Sequence, residues 1–269
     1  MKFLYCLLLT LRGMTQPYHV QSENSYISAG AYSTHCNDVF SFISCPASLG
    51  DIHGFSGGVL TERKWMLKEL DNYALAVTGN IGNGGLGILF EQSGDADYHE
   101  RSVNLAYGKN LGKVEMGIRF NYMMDKAQGY QGIGFGNSGI SVRFHLSEKF
   151  ITGWELGFPV FGKAGKTNSE KGTPLFKTGF GYESSENLLL AVQIVKVSGV
   201  PLNVIPSIEY HYDEHFFFSF AINSNTGSPF FKSGWKKNNV SIQIYTVYET
   251  LLGFSPGILL IWDNKKKKE

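Results

Sequence analysis

The chain has 269 residues, with 24 Lys and Arg against 23 Asp and Glu, and its net charge of +1 gives no reason to expect a polyanion partner. Gly (32), Phe (20) and Tyr (14) are abundant and Pro is scarce (8), a balance that suits curved strands and rows of aromatic side chains. No run reaches the about 18 apolar residues of a membrane helix, which excludes helical spans and leaves strand-built ones open.

Met1–Gln16 begins with basic Lys2 and continues into the apolar run Phe3–Leu11, broken only by Thr10. This is the pattern of a secretory signal ending near Gln16, although Arg12 and the missing A-x-A site also fit a buried N-terminal strand. Residues 17–50 are small, polar and turn-rich, and read as a short helical or irregular segment. Of the three cysteines, Cys6 falls in the signal. Cys36 and Cys45 fit either a disulfide in an oxidising compartment or two small buried thiols.

From about Phe55 to Trp262 the chain alternates apolar with polar or small side chains in segments bounded by Gly, Asn, Asp, Ser or Pro. Successive side chains of a strand point to opposite faces, so each segment has one oily and one polar face. The clearest case sets Val114, Met116, Ile118, Phe120 and Tyr122 against Lys113, Glu115, Arg119 and Asn121. Fourteen strands are expected, near 55–65, 71–80, 84–92, 97–109, 112–124, 134–146, 149–160, 174–183, 187–197, 200–212, 215–223, 228–236, 239–249 and 253–262, with twelve as the other count. Tight turns are expected at 80–85, 109–113, 147–149 and 213–214, and longer connections near 125–132, 162–173 and 223–228.

Alternation divides the strands into an outward set (Val103, Leu105, Tyr107, Ile140, Val142, Phe144, Trp154, Leu156, Phe158, Phe216, Phe218, Phe220) and an inward set. The inward set is Lys113, Glu115, Arg119, Arg143, His145, Glu155, Gln193, Glu209 and His211. A charged face and an aromatic face repeated this often fit an all-β fold, a single antiparallel transmembrane barrel with lipid outside and a wet lumen inside. The alternative is a soluble periplasmic β-sandwich or lipid-binding protein, with the Phe-rich face as its core. The inward charges, mixed in sign, either brace the wall or line a permeation path.

No catalytic, cofactor or metal site is expected. Gly54-Phe55-Ser56-Gly57-Gly58 and Gly253-Phe254-Ser255-Pro256-Gly257 match G-x-S-x-G, but the first runs into an alternating strand and Pro256 lacks the N–H an oxyanion hole requires. A G-x-G-x-x-G match at Gly134 opens a strand and not a helix. His211 and His215, four apart on a hairpin, need not share a face.

Ser28-Ala29-Gly30-Ala31-Tyr32, Asn37-Asp38-Val39-Phe40-Ser41, Cys45-Pro46-Ala47-Ser48-Leu49, Trp65–Leu70, Leu105-Ala106-Tyr107-Gly108 and Leu252-Gly253-Phe254-Ser255-Pro256 together resemble the FadL-like outer-membrane barrels, and within them the PorV/PorQ-like branch. The similarity spans about residues 25–262. It implies a fourteen-stranded barrel with the N-terminal segment folded into the lumen as a hatch, which makes Asn37, Asp38, Cys45, Pro46 and Ala47 hatch residues. The family's Asn-Pro-Ala turn reads Cys45-Pro46-Ala47 here, a departure at the hatch itself. The organisation expected is a signal at 1–16, a hatch at 17–50, a barrel at 51–262 and a charged tail at 263–269.

The resemblance implies a non-enzymatic protein of the Gram-negative outer membrane. Its partners would be outer-membrane lipid, the barrel-assembly machinery, and either hydrophobic small molecules or secreted proteins of type IX secretion, with no nucleic acid. An outer-membrane lipid-modifying enzyme is the third class, and needs a Ser/His pair at the outer rim.

Overall fold

The computed structural model describes residues 29–163 and 174–264. The expected signal at 1–16 and the last five residues of the expected tail lie outside the described residues. Alternation produces fourteen strands: β1 (Phe55–Arg63), β2 (Asp71–Ile81), β3 (Gly84–Gly94), β4 (Tyr98–Asn110), β5 (Val114–Ala127), β6 (Ile133–His145), β7 (Phe150–Lys163), β8 (Leu175–Ser185), β9 (Leu188–Val197), β10 (Asn203–His211), β11 (Phe216–Asn223), β12 (Ser228–Lys237), β13 (Val240–Glu249) and β14 (Gly253–Asn264). Neighbours in sequence pair antiparallel, and β1 pairs with β14 to close the barrel, with Gly57 opposite Trp262 and Thr61 opposite Ile258. Closure satisfies every edge, the condition that lets a sheet stand in lipid. Among the described residues no helix is long and apolar enough to cross a membrane.

The closed barrel replaces the sandwich alternative, because the aromatic face is outside and not in a core. On β5, Met116, Ile118, Phe120 and Tyr122 are exposed, while Glu115, Gly117, Arg119 and Asn121 between them are buried. Such an outer face needs lipid. Ile118→Arg is therefore expected to impair insertion, because an Arg on the lipid face near the midplane costs about 2–4 kcal/mol. Arg119→Ile, one residue away on the lumen face, leaves the lipid face intact and Lys177 still beside Glu155, so its loss is expected to be smaller. The heat-modifiable gel mobility of the membrane fraction compares the two, and equal loss in both would contradict the assignment of faces.

The connections sort by end. The turns at 82–83, 111–113, 146–149, 186–187, 212–215 and 238–239 lie at one end, each two to four residues long. Gly82 (φ +61°) and Asn238 (φ +53°) supply the left-handed backbone that two of these turns use. The connections at 64–70, 95–97, 128–132, 198–202, 224–227 and 250–252 lie at the other end, and the expected connection at 162–173 falls largely outside the described residues. Most strand boundaries shift by one to three residues from expectation, and two of these shifts change the reading of a residue. The Leu111 N–H donates to the Val114 carbonyl, so β5 starts at Val114 and Lys113 is an exposed turn residue and not a lumen-facing one. β14 runs on to Asn264, and Ser56 Oγ on β1 donates to Asp263 at 2.5 Å.

The N-terminal segment enters at the short-turn end and folds inside the barrel. Three short 3-10 turns, Ala29–Tyr32, Ser41–Ile43 and Pro46–Asp51, pack against β3 to β9. Val39, Phe40, Phe42, Ile43 and Leu49 join wall residues Leu60, Leu89, Ile205, Phe230, Tyr245 and Leu259 in one apolar cluster within the lumen.

Candidate functional site: the plug and its seat on the wall

Residues 30–51 form a plug that is held by an apolar cluster and by discrete polar contacts to the wall. At its start, Glu183 on β8 accepts from Ser33 Oγ at 2.5 Å, Thr34 N–H at 2.7 Å, His35 N–H at 3.1 Å and the His35 ring at 2.8 Å. A carboxylate receiving several N–H and O–H donors is a strong, charge-assisted anchor.

Farther along, two buried ionic groups on the wall reach the plug backbone. Arg143 on β6 is fully buried, forms a two-point contact with Glu115 on β5, and donates from Nη1 to the Ala31 carbonyl at 3.0 Å. Asp51 of the plug lies 3.6 Å from the same guanidinium, and His145 lies 3.2 Å from Glu115. Deeper in the lumen, Arg119 on β5 pairs with Glu155 on β7, and Lys177 on β8 lies 3.7 Å from Glu155. Arg119 and Lys177 both donate to the Ile43 carbonyl, at 2.9 and 3.2 Å. The charges largely cancel within each group. The cations left facing inward donate to the carbonyl oxygens of Ala31 and Ile43, which lie in short 3-10 turns of the plug.

The plug's own residues set its shape. Asp38 Oδ1 accepts from the Phe40 N–H at 2.9 Å and from Ser41 Oγ at 3.0 Å, closing the turn that aims Phe42 and Ile43 inward. Asn37 Nδ2 donates to the Ser48 carbonyl at 3.3 Å. Pro46 occupies the first turn of the 46–51 helical segment, where its missing N–H is no loss. The Ala47 N–H donates to Ser141 Oγ on β6 at 2.8 Å. Cys45 is buried beside Tyr32, and desolvation pushes its thiol up to about 11. Cys36 and Cys45 are both free thiols, which decides the disulfide question against a bond.

The wall makes room for this segment with glycine. Inward positions Gly58, Gly85, Gly87, Gly108, Gly117, Gly153, Gly179 and Gly181 all lie against plug atoms. At Gly117 a Cβ would overlap the Ala47 amide, and at Gly181 the Tyr32 carbonyl, so at these two positions only a residue without a side chain permits the approach. Sequence reading assigned glycine to strand curvature and missed this role.

Seven of the eight inward charged or His residues expected from the pattern are brought to the lumen face. Glu115, Arg119, Arg143, His145 and Glu155 form the ionic groups above, and Glu209 and His211 meet on β10 at 3.2 Å. The eighth, Lys113, is the turn residue already noted. Glu183, Lys177 and Lys232 were missed, though each lies on the inward parity of its strand. The nucleophile-elbow match places Ser56 inside β1, bonded to Asp263, in a strand that runs on to Arg63 and not at a strand-to-helix turn. The Gly134–Gly139 match lies within β6, and His215 is exposed in the 212–215 turn while His211 faces inward.

The outer wall carries a groove of about 860 Å³ over β10 to β14 and on to β1 and β2. Its outward lining includes Tyr210, Phe218, Phe220, Phe231, Ile244 and Ile258, and it also takes in the inward-facing Ser219, Lys232, Tyr245 and Gly257.

No family model matches the sequence, and no curated protein matches it. Solved structures do. The CymD monoaromatic hydrocarbon channel is 10% identical with a TM-score of 0.59, over 86% of this chain and 94% of that one. The P. putida toluene transporter TodX is 8% identical with a TM-score of 0.55, over 86% and 95%. A TodX deltaS2 mutant monoaromatic hydrocarbon channel is 9% identical with a TM-score of 0.52, over 84% and 93%. At these identities the likeness is one of fold: the chain is a closed fourteen-stranded antiparallel β-barrel similar in fold to these solved structures.

Proposed function

We propose that this chain is an outer-membrane channel of FadL-like type that passes small apolar molecules, with residues 30–51 as its gate. The observation that carries the proposal is the seat of the plug. It is a short segment without a fold of its own, and discrete side-chain contacts to the wall hold it in an otherwise complete barrel. Such a segment can shift without breaking a strand pair.

Two further observations support the cargo class. The inner end of the plug and the wall around it are apolar, from Phe42 and Ile43 to Leu60, Phe230 and Leu259. The outer groove on β10 to β14 is lined by aromatic and aliphatic side chains facing lipid. An apolar solute gains about 25 cal/mol for each Å² it hides from water, so such surfaces favour hydrocarbons over sugars or ions. The neighbours described as hydrocarbon channels and as a toluene transporter support the same class. Service as an accessory of type IX secretion, the PorV/PorQ reading, rests on the resemblance of residues 28–49, 65–70, 105–108 and 252–256 and finds no separate support in the site.

The test is uptake of a radiolabelled monoaromatic hydrocarbon by cells with and without the chain in their outer membrane. Several-fold faster uptake with the chain is expected. Equal rates would overturn the reading, provided the heat-modifiable form is present.

A further inference from the structure

We propose that Cys36 of the plug, with Glu209 and His211 of β10, forms a binding site for a zinc-type divalent metal ion that fastens the plug to the barrel wall. One sulfur, one nitrogen and one oxygen donor lie within 4.8 Å of one another. Cys36 Sγ is 3.5 Å from His211 Nε2, and His211 Nε2 is 3.2 Å from Glu209 Oε1. In a tetrahedral zinc site the metal–ligand lengths place neighbouring donor atoms about 3.3–3.6 Å apart. The observed separations leave the donors one small adjustment from a shared ion. Thiolate, imidazole and carboxylate together suit zinc better than the hard cations, which take oxygen alone.

The wall holds the ligands in place. Glu209 and His211 are two apart on β10 and share its inward face. Lys232 on β12 pairs with the other oxygen of Glu209, Oε2, at 3.1 Å, which leaves Oε1 turned to His211. The His211 ring stacks on Phe217 at 5.2 Å. Outer contacts of this kind orient metal ligands. Beside the three donors is a cavity of about 80 Å³, bordered by His35, Asp38, Glu214 and His215. That is ample for a water as fourth ligand.

On binding, the Cys36 thiol proton leaves to solvent, and a neutral His211 carries its proton on Nδ1 so that Nε2 faces the ion. The divalent ion, thiolate, carboxylate and Lys232 ammonium then sum to +1, a small charge for a site at the mouth of the lumen. The site stands on geometry alone and holds whether or not the barrel passes apolar cargo.

Cobalt(II) titrated into the full-length chain in detergent tests this. A thiolate-to-cobalt charge-transfer band in the near ultraviolet, the d–d bands of a tetrahedral centre, saturation at one ion per chain and displacement by zinc are expected. Cys36→Ser should abolish the charge-transfer band, and His211→Gln should weaken cobalt binding at least tenfold. Cys45→Ser, at the other thiol, should leave both unchanged. Boiled and unboiled gel lanes establish that each variant is folded. A folded wild-type chain with no band would overturn the proposal, as would a band that survives Cys36→Ser.

Discussion

Gly181→Leu is expected to drive the plug out of the lumen and leave the barrel closed. A Cβ at 181 would overlap the Tyr32 carbonyl oxygen, which is backbone and cannot rotate away. One of the two partners must move. The wall at Gly181 is paired on both sides, opposite Ile151 on β7 and Ala191 on β9, whereas the plug is held by side chains. The wall therefore stays and the plug yields. Overpacking a tight core costs about 1–3 kcal/mol. Losing the burial of Tyr32 removes about 2 kcal/mol of what opposes release. The expected result is a heat-modifiable barrel with several-fold higher conductance in planar bilayers and new protease cleavage within residues 30–51. A protected plug with unchanged conductance would show that the wall gives way instead.

Gly179 supplies the control. There a Cβ would overlap the Tyr32 ring and not its backbone. Gly179→Ala should open the barrel, and adding Tyr32→Ala should close it again. The same second change should not rescue Gly181→Leu. This pattern follows from which atoms collide, and a general weakening of β8 would not produce it.

Alternation made most of the barrel legible before the structure. A residue on a pleated strand has two faces to choose from, and lipid and lumen differ so much that the choice is written at nearly every position. Ile118 beside Arg119 and Trp154 beside Glu155 already declare their sides, and the tight and long connections fall on opposite ends as their lengths suggest. The boundary at Lys113 escaped because a strand's first residue and a turn's last look alike in sequence; only the bond from Leu111 to Val114 separates them. The seat of the plug escaped for another reason. Glycine has no side chain and so carries no periodic signal, and Gly117, Gly179 and Gly181 read as neutral interruptions. Their parity is the clue. Each is in step with the inward residues of its strand, Gly117 with Glu115 and Arg119, Gly179 and Gly181 with Lys177 and Glu183. An inward glycine among large inward polar residues marks a place where something else fills the space. The meeting of Cys36 with Glu209 and His211 has no such clue, because only closure of the barrel brings residues that far apart in the chain together.

Arg143→Met is expected to be the most destabilising single change in the wall. Arg143 and Glu115 are both buried, and together they satisfy the Ala31 carbonyl, Asp51 and His145. Removing the guanidinium leaves the Glu115 carboxylate with His145 alone and strips the plug of one anchor. Breaking one partner of a buried pair costs about 3–5 kcal/mol, most of it the penalty of a stranded charge. Glu115→Met strands Arg143 in the same way. The double change Arg143→Met with Glu115→Met removes both charges and fills the space with apolar atoms of similar volume, so it should recover most of the loss. Urea unfolding followed by tryptophan fluorescence in detergent measures all four proteins. A double mutant as stable as, or more stable than, either single would show that each stranded charge, and not lost packing, is what destabilises the singles. Strictly additive losses would mean that the two side chains act independently. Salt separates the two cases further. At about 1 M ionic strength exposed charges are screened within about 3 Å, yet a pair shielded by the plug and wall should keep its effect. The same Arg143→Met protein should also conduct more than wild type, since the cation that braces the wall is also the one that holds the Ala31 carbonyl.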